Sequence, residues 1–227
     1  MDTWLERDNL NIDTAQIGLF YACTDKSNPI ETEIDFLINN NKFQSNVAIP
    51  IQKHTNNVIF VESPGYYNSC DGLVSNLEFP LILSLSVADC VPICIYDSVT
   101  NNYGLIHSGW RGTAEKISNE AIKIMIDRGS KAQNIKVYLG PSISQKKYEV
   151  DEDVILFFSD KNYKFHEKKF LLDIKSQIKD DLLNMGIENK NISSSSVCTY
   201  SNLDFPSYRR DGVGVGRIIF LMGDFNG

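Results

Sequence analysis

The chain has 227 residues, 42% hydrophobic and 22% charged, which is enough apolar material for a sizeable core and too much for a disordered chain. Its formal net charge of −7 and isoelectric point of about 5.0 argue against general binding to nucleic acid or anionic membrane, both of which need a basic face. The five cysteines are odd in number and irregularly spaced, which speaks against a disulfide framework and for reduced thiols.

Along the chain, Met1 to Asp8 lacks a basic region followed by an apolar run, so no secretory signal is expected there. The longest apolar stretch, Leu81 to Tyr96, is broken by Ser84, Ser86, Asp89 and Pro92 and does not read as a membrane span. A cytoplasmic protein is expected, of one large domain or two small ones. Gly18 to Cys23 reads as a strand and Thr24 to Pro29 as a turn. Val47 to Gln52 and Val58 to Glu62 are predicted strands, with His54 between them. Leu81 to Val87, Pro92 to Tyr96 and Tyr103 to Ile106 are short apolar runs of buried-strand type, the last ending at His107. Ile117, Ala121, Ile124 and Met125 share one helical face, with Thr113 as N-cap, Glu115 in the first turn and Gly129 as the stop. Ile135 to Leu139 is a strand running into Gly140-Pro141. Asp151 is expected to cap a short helix through Phe158, and Ile174, Ile178, Leu182 and Met185 form a second helical stripe closed by Gly186. Ser196 to Thr199 and Ile218 to Met222 are predicted as the last strands. This irregular order predicts an α/β (α+β-like) fold: a mixed-sheet sandwich with flanking helices, not a regular doubly wound sheet.

Three residues stand out chemically. Cys90 sits at a break between two apolar strands, His107 ends a third strand, and His54 lies upstream. Imidazole and thiolate are zinc ligands, and two His plus one Cys leave a fourth position open, as catalytic zinc sites do. The ordinary alternative is a hydrogen-bonded core His and an inert buried Cys. Asp89, next to Cys90, is expected on the opposite side of an extended segment, where it could orient a ligand imidazole. Gly109-Trp110-Arg111-Gly112-Thr113 opens a helix, so its backbone N–H groups and the Arg111 guanidinium suit a phosphate or carboxylate; a solvated Arg at a helix start is the alternative. Tyr208-Arg209-Arg210-Asp211, with Arg217, is the dense basic cluster, fit for an anionic substrate or else a solvated Arg–Asp pair. His166, in the Lys-rich stretch Lys161 to Lys169, is expected at the surface.

These segments together resemble the YfiH family, long called the laccase-domain or multicopper polyphenol oxidase family. The resemblance runs from His54 to Arg217 through Asp71-Gly72-Leu73-Val74-Ser75, Ala88-Asp89-Cys90-Val91-Pro92, His107-Ser108-Gly109-Trp110-Arg111-Gly112, Gly140-Pro141-Ser142-Ile143, Tyr148-Glu149-Val150, Cys198-Thr199 and Ser207-Tyr208-Arg209-Arg210-Asp211. It implies a single-domain α/β protein over residues 1–227 with a zinc site on His54, Cys90 and His107. It also implies phosphorolysis of adenosine, inosine, guanosine and methylthioadenosine, and deamination of adenosine. Copper-dependent phenol oxidation and a role in peptidoglycan editing are the family's other ascribed activities. The sequence departs from the family pattern at Leu19 to Thr24, at Thr55 where a Gly is usual, and at Lys146-Lys147 where a Cys pair is usual.

On this reading Cys90, Asp89 and Arg111 are the catalytic candidates, with Asp89 and Glu149 as acid/base candidates. Arg111, Tyr208, Arg209 and Arg210 are the substrate-binding candidates. Purine nucleosides and phosphate are the expected partners, with zinc, or copper in its place, as the cofactor. With three His in the chain, a multicopper centre lacks ligands within one protomer. An amidase acting on cell-wall precursors and a non-catalytic binding module are the remaining alternatives.

Overall fold

The structure, a computed structural model, describes residues 18–23 and 46–223. The predicted turn from Thr24 to Pro29 lies outside these residues. The described chain runs β1 (Gly18–Cys23), β2 (Val47–Ile51), β3 (Val58–Phe60), β4 (Gly65–Asn68), β5 (Gly72–Asn76), β6 (Ile82–Val87), β7 (Val91–Asp97), β8 (Asn102–Ser108), α1 (Trp110–Ala114), α2 (Ile117–Asp127) and β9 (Ile135–Leu139). It continues with β10 (Glu149–Val150), α3 (Glu152–Ile155), β11 (Tyr163–His166), β12 (Lys169–Leu172), α4 (Ile174–Asn184), β13 (Ile192–Ser194), α5 (Tyr208–Asp211) and β14 (Ile218–Gly223).

Two large mixed sheets form the sandwich. One has the strand order β1-β14-β6-β2-β4, the other β13-β9-β7-β8-β5-β3, and β10-β12-β11 make a small third sheet. The space between the large sheets is filled by Leu83 and Leu85 of β6, Phe220 of β14, Leu73 of β5, Leu105 of β8 and Tyr96 of β7. The far side of the six-stranded sheet is covered by α2 and α4, through Ile117, Ile122 and Met125 and through Ile178 and Leu182. Strand β7 is therefore buried on both faces. Cys94 and Tyr96 enter the inter-sheet core while Ile93 and Ile95 meet the helices, which is why this strand reads as a continuous apolar run rather than an alternating one.

Three local expectations change. Thr113 does not cap α2: its hydroxyl donates to the Gly109 carbonyl at 2.9 Å and pairs with Ser108 at 2.7 Å inside α1. Helix α2 starts instead after Lys116, whose left-handed backbone (φ 59°) breaks the chain between the two helices. Asp151 stands at the N-cap of α3 without a side-chain cap bond and pairs with Lys169. The strand expected over Ser196 to Thr199 is one bridge, Ser142 to Cys198, and the parallel pairing with β9 is made by Ile192 to Ser194. The Lys-rich stretch folds as the β11–β12 hairpin, turning at Glu167 and Lys168 (φ 45° and 72°), with His166 exposed. None of the described helices is long and apolar enough to cross a membrane.

Candidate metal centre and adjoining cavity

The three sequence-predicted ligands converge. His54 lies in the loop after β2, Cys90 in the turn from β6 to β7, and His107 near the end of β8. Their ligand atoms all lie within 4.8 Å of one another, and the two imidazole rings meet edge to face with centroids 4.8 Å apart. His54 is exposed, Cys90 half-buried and His107 buried, so the group opens to one side. Gly109 backs onto it: a Cβ there would stand 3.1 Å from both Cys90 Sγ and a ring carbon of His54.

Asp71, immediately before β5, organises the group from behind. Its fully buried carboxylate accepts from the His107 Nδ1–H at 2.8 Å, from the backbone N–H groups of Lys53, His54 and Thr55 at 3.1, 2.9 and 2.7 Å, and from the Thr55 hydroxyl at 2.9 Å. With a metal bound, these bonds would hold the neutral His107 ring with Nδ1 protonated and Nε2 facing the cluster, as in a carboxylate–His–metal arrangement. Burial pushes the Asp71 carboxyl up, but the donors outweigh it and hold it well below the usual carboxylate range. Burial likewise pushes the Cys90 thiol up, and the neighbouring His107 and His54 rings overcome this and draw it down to about 6. His107 is lowered by burial but raised further by Cys90 and Asp71, to about 9. Two imidazoles, one readily formed thiolate and a carboxylate behind one ring are a donor set that fits zinc or copper.

The sequence expectation that Asp89 orients a ligand imidazole is corrected: Asp71 does so. Asp89 is buried, has a left-handed backbone (φ 79°), and its carboxylate accepts from the Thr199 hydroxyl at 2.6 Å, the Ser207 hydroxyl at 3.1 Å and the Arg209 N–H at 2.7 Å. It ties the β6–β7 turn to the N-terminal end of α5, which carries Tyr208. Sequence reasoning misses Asp71 because nothing sets it apart from Asp89: both acids adjoin a Cys at a strand end.

A cavity of about 650 Å³ adjoins the triad, and His54, Cys90, His107, Tyr208 and Arg217 all reach it. Arg111, Arg209 and Arg210 do not line it. Arg111 is exposed, its guanidinium 4.4 Å from the Trp110 ring centre. Arg209 donates to the Glu149 carbonyl at 2.6 Å and lies 5.2 Å from the Tyr148 ring centre. Arg210 is committed to its own loop: it donates to the carbonyls of Thr199, Tyr200, Asn202 and Phe205 and to both oxygens of Asp211, which uses all five guanidinium N–H groups. Glu149 is exposed on β10. Tyr148 lies under the Arg209 guanidinium. Burial and then the nearby Cys90 push its phenol above the usual range, with Arg209 pulling the other way.

A family model described as "Multi-copper polyphenol oxidoreductase laccase" matches residues 11–223. "Purine nucleoside phosphorylase YlmD" of Bacillus subtilis is 33% identical over 162 residues, 67% of this chain and 58% of the relative. "Purine nucleoside phosphorylase Cj1217c" of Campylobacter jejuni is 34% identical over 162 residues, 70% of each. "Adenosine deaminase RL5" of an unknown prokaryotic organism is 30% identical over 156 residues, 65% of this chain and 59% of the relative. The matches thus span between 58% and 70% of these three relatives' lengths. Among solved structures, YlmD from Geobacillus stearothermophilus superposes with a TM-score of 0.84 at 23% identity, covering 92% of both chains. A Bacillus licheniformis hypothetical protein, YfiH, gives 0.83 at 24%, covering 91% of this chain and 92% of its own. These two share the fold.

Proposed function

The chain belongs to the family described as multi-copper polyphenol oxidoreductase laccase, and from that membership and its His–Cys–His cluster we propose that it is a zinc-dependent purine nucleoside phosphorylase with adenosine deaminase activity. Adenosine, inosine, guanosine and methylthioadenosine are its substrates on this reading. The observation that carries it is the convergence of His54, Cys90 and His107 at the end of a nucleoside-sized cavity. The names of the relatives support the reaction class.

In this reading His54, Cys90 and His107 hold the metal and Asp71 keeps His107 aimed. Zinc bound there would supply Lewis acidity at neutral pH. Tyr208 contacts the nucleoside, and Arg217, which also lines the cavity, supplies positive charge for phosphate. Asp89 keeps the Tyr208–Arg209 segment in place. The family's copper description fits less well. A multicopper centre needs more imidazoles, and the chain's third His, His166, is exposed on the β11 hairpin and outside the cluster.

The test is inosine phosphorolysis and adenosine deamination by protein of known metal content. About one zinc per chain, with Cys90→Ala and His107→Ala each folded but inactive, is the expected outcome. Full activity in either variant overturns the proposal, and several copper ions per chain with phenol oxidation would replace it with the oxidase reading.

A further inference from the structure

The cavity beside the triad has a wall that the ligands and the family motifs leave unexplained. Tyr66 lies on β4, the edge strand of the five-stranded sheet, paired with Ile49 of β2, and both line the cavity. Exposure alternates along β4: Gly65 and Tyr67 are half-buried, Tyr66 and Asn68 exposed. Tyr67 packs against the inter-sheet core, so Tyr66 stands on the sheet's other face. Ser84 and Ser86 of β6, with hydroxyls bonded to Ala48 O and Gln52 Oε1, also line the cavity. Tyr66 and Tyr208 are each 53% exposed, two aromatic side chains lining one cavity.

A single exposed tyrosine needs no explanation. Two at one cavity, with apolar Ile49 and Ile51 nearby and a ligand cluster at its end, form a site for a flat heteroaromatic ring. Stacking on an aromatic side chain suits any purine because every base offers a π-face. We infer that Tyr66 is a substrate-binding residue that stacks on the purine ring, with Tyr208 as the second aromatic wall. This rests on the nucleoside reading above and deepens it, since it makes the base, not the ribose or phosphate, the group held at β4.

The experiment measures adenosine binding by calorimetry, and the KM values for inosine and phosphate, in the zinc-loaded wild type and in Tyr66→Ala, Tyr66→Thr and Tyr66→Phe. The Thr variant keeps a strand-forming residue at the edge, so a folding defect in the Ala variant does not end the test. The expected result is about tenfold weaker adenosine binding and a similarly raised inosine KM in Tyr66→Ala and Tyr66→Thr. The phosphate KM stays unchanged and Tyr66→Phe behaves as wild type. Adenosine affinity within twofold of wild type in a folded Ala or Thr variant overturns the inference. A wild type that binds adenosine, yet releases neither free base with phosphate nor ammonia, overturns the proposed activity alone, and Tyr66 is then judged on binding. A wild type that binds no purine nucleoside overturns both.

Discussion

Asp71 accepts from His107, from the Thr55 hydroxyl and from three consecutive backbone N–H groups. An Asn at this position offers one acceptor oxygen and turns an NH2 toward donors. Asp71→Asn is therefore expected to lower metal affinity by roughly 10–100-fold and stability by about 1–3 kcal/mol. Competition with a chromophoric chelator and urea unfolding measure the two effects. Gly109 leads to a separate prediction. A Cβ at 3.1 Å from Cys90 Sγ and the His54 ring displaces the ligands but little of the core, so Gly109→Ala should lose metal while melting near the wild-type temperature. Asp89 separates charge from backbone geometry. Its φ of 79° is tolerated by Asn but strained for Ala. Asp89→Asn should keep the fold and loosen the start of α5 at Tyr208, while Asp89→Ala adds about 1 kcal/mol of backbone cost. The clustering of His54, Cys90 and His107 was legible because His is scarce and residue type suffices to mark it. Asp71 and Asp89 look alike in sequence, and only the location of their donors tells the orienting acid from the one that holds α5.

The strands with clear sequence signals were β6, β7, β8, β9 and β14, each an apolar run closed by a Gly, Pro or polar break. Helices α2 and α4 were legible from their 3.6-residue stripes. Ser193 and Ser194 of β13 are polar and exposed, so their pairing with β9 left no apolar signature. The β11–β12 hairpin was hidden by its lysines, although Phe165 and Phe170 pack ring to ring across it. On α4, the half-buried Lys175 donates to the Ser195 carbonyl at 2.8 Å, and burial lowers its ammonium to about 8. A lysine lowered in the folded state binds fewer protons than in the unfolded chain, where its value is about 10.4. Its contribution to stability therefore rises with pH between those values, and its burial penalty is complete below about 8. The stability of Lys175→Met minus that of wild type should shrink from pH 7.5 toward about pH 10. Urea unfolding at both pH values checks this, and a difference independent of pH contradicts it.

Over the whole molecule, two apolar cores share the six-stranded sheet, one against the other sheet and one under the helices. Phe220 is completely buried in the first, stacked on Tyr21 with ring centres 5.2 Å apart. Phe220→Ala should cost about 3–5 kcal/mol in urea unfolding. The sandwich class was legible from the mixture of elements. The parallel pairings of β2 with β4 and of β3 with β5 were not, because they join segments across crossovers that no local pattern encodes. The origins of the triad carry one more consequence. His54 follows β2 of the five-stranded sheet, His107 belongs to β8 of the six-stranded sheet, and Cys90 sits where the chain passes from one to the other. An ion held by all three is a rivet through the seam of the sandwich. Loading it should slow amide hydrogen exchange at the ends of β2 and β8 together, while the β11–β12 hairpin, far from the seam in sequence and sheet, keeps its exchange rates.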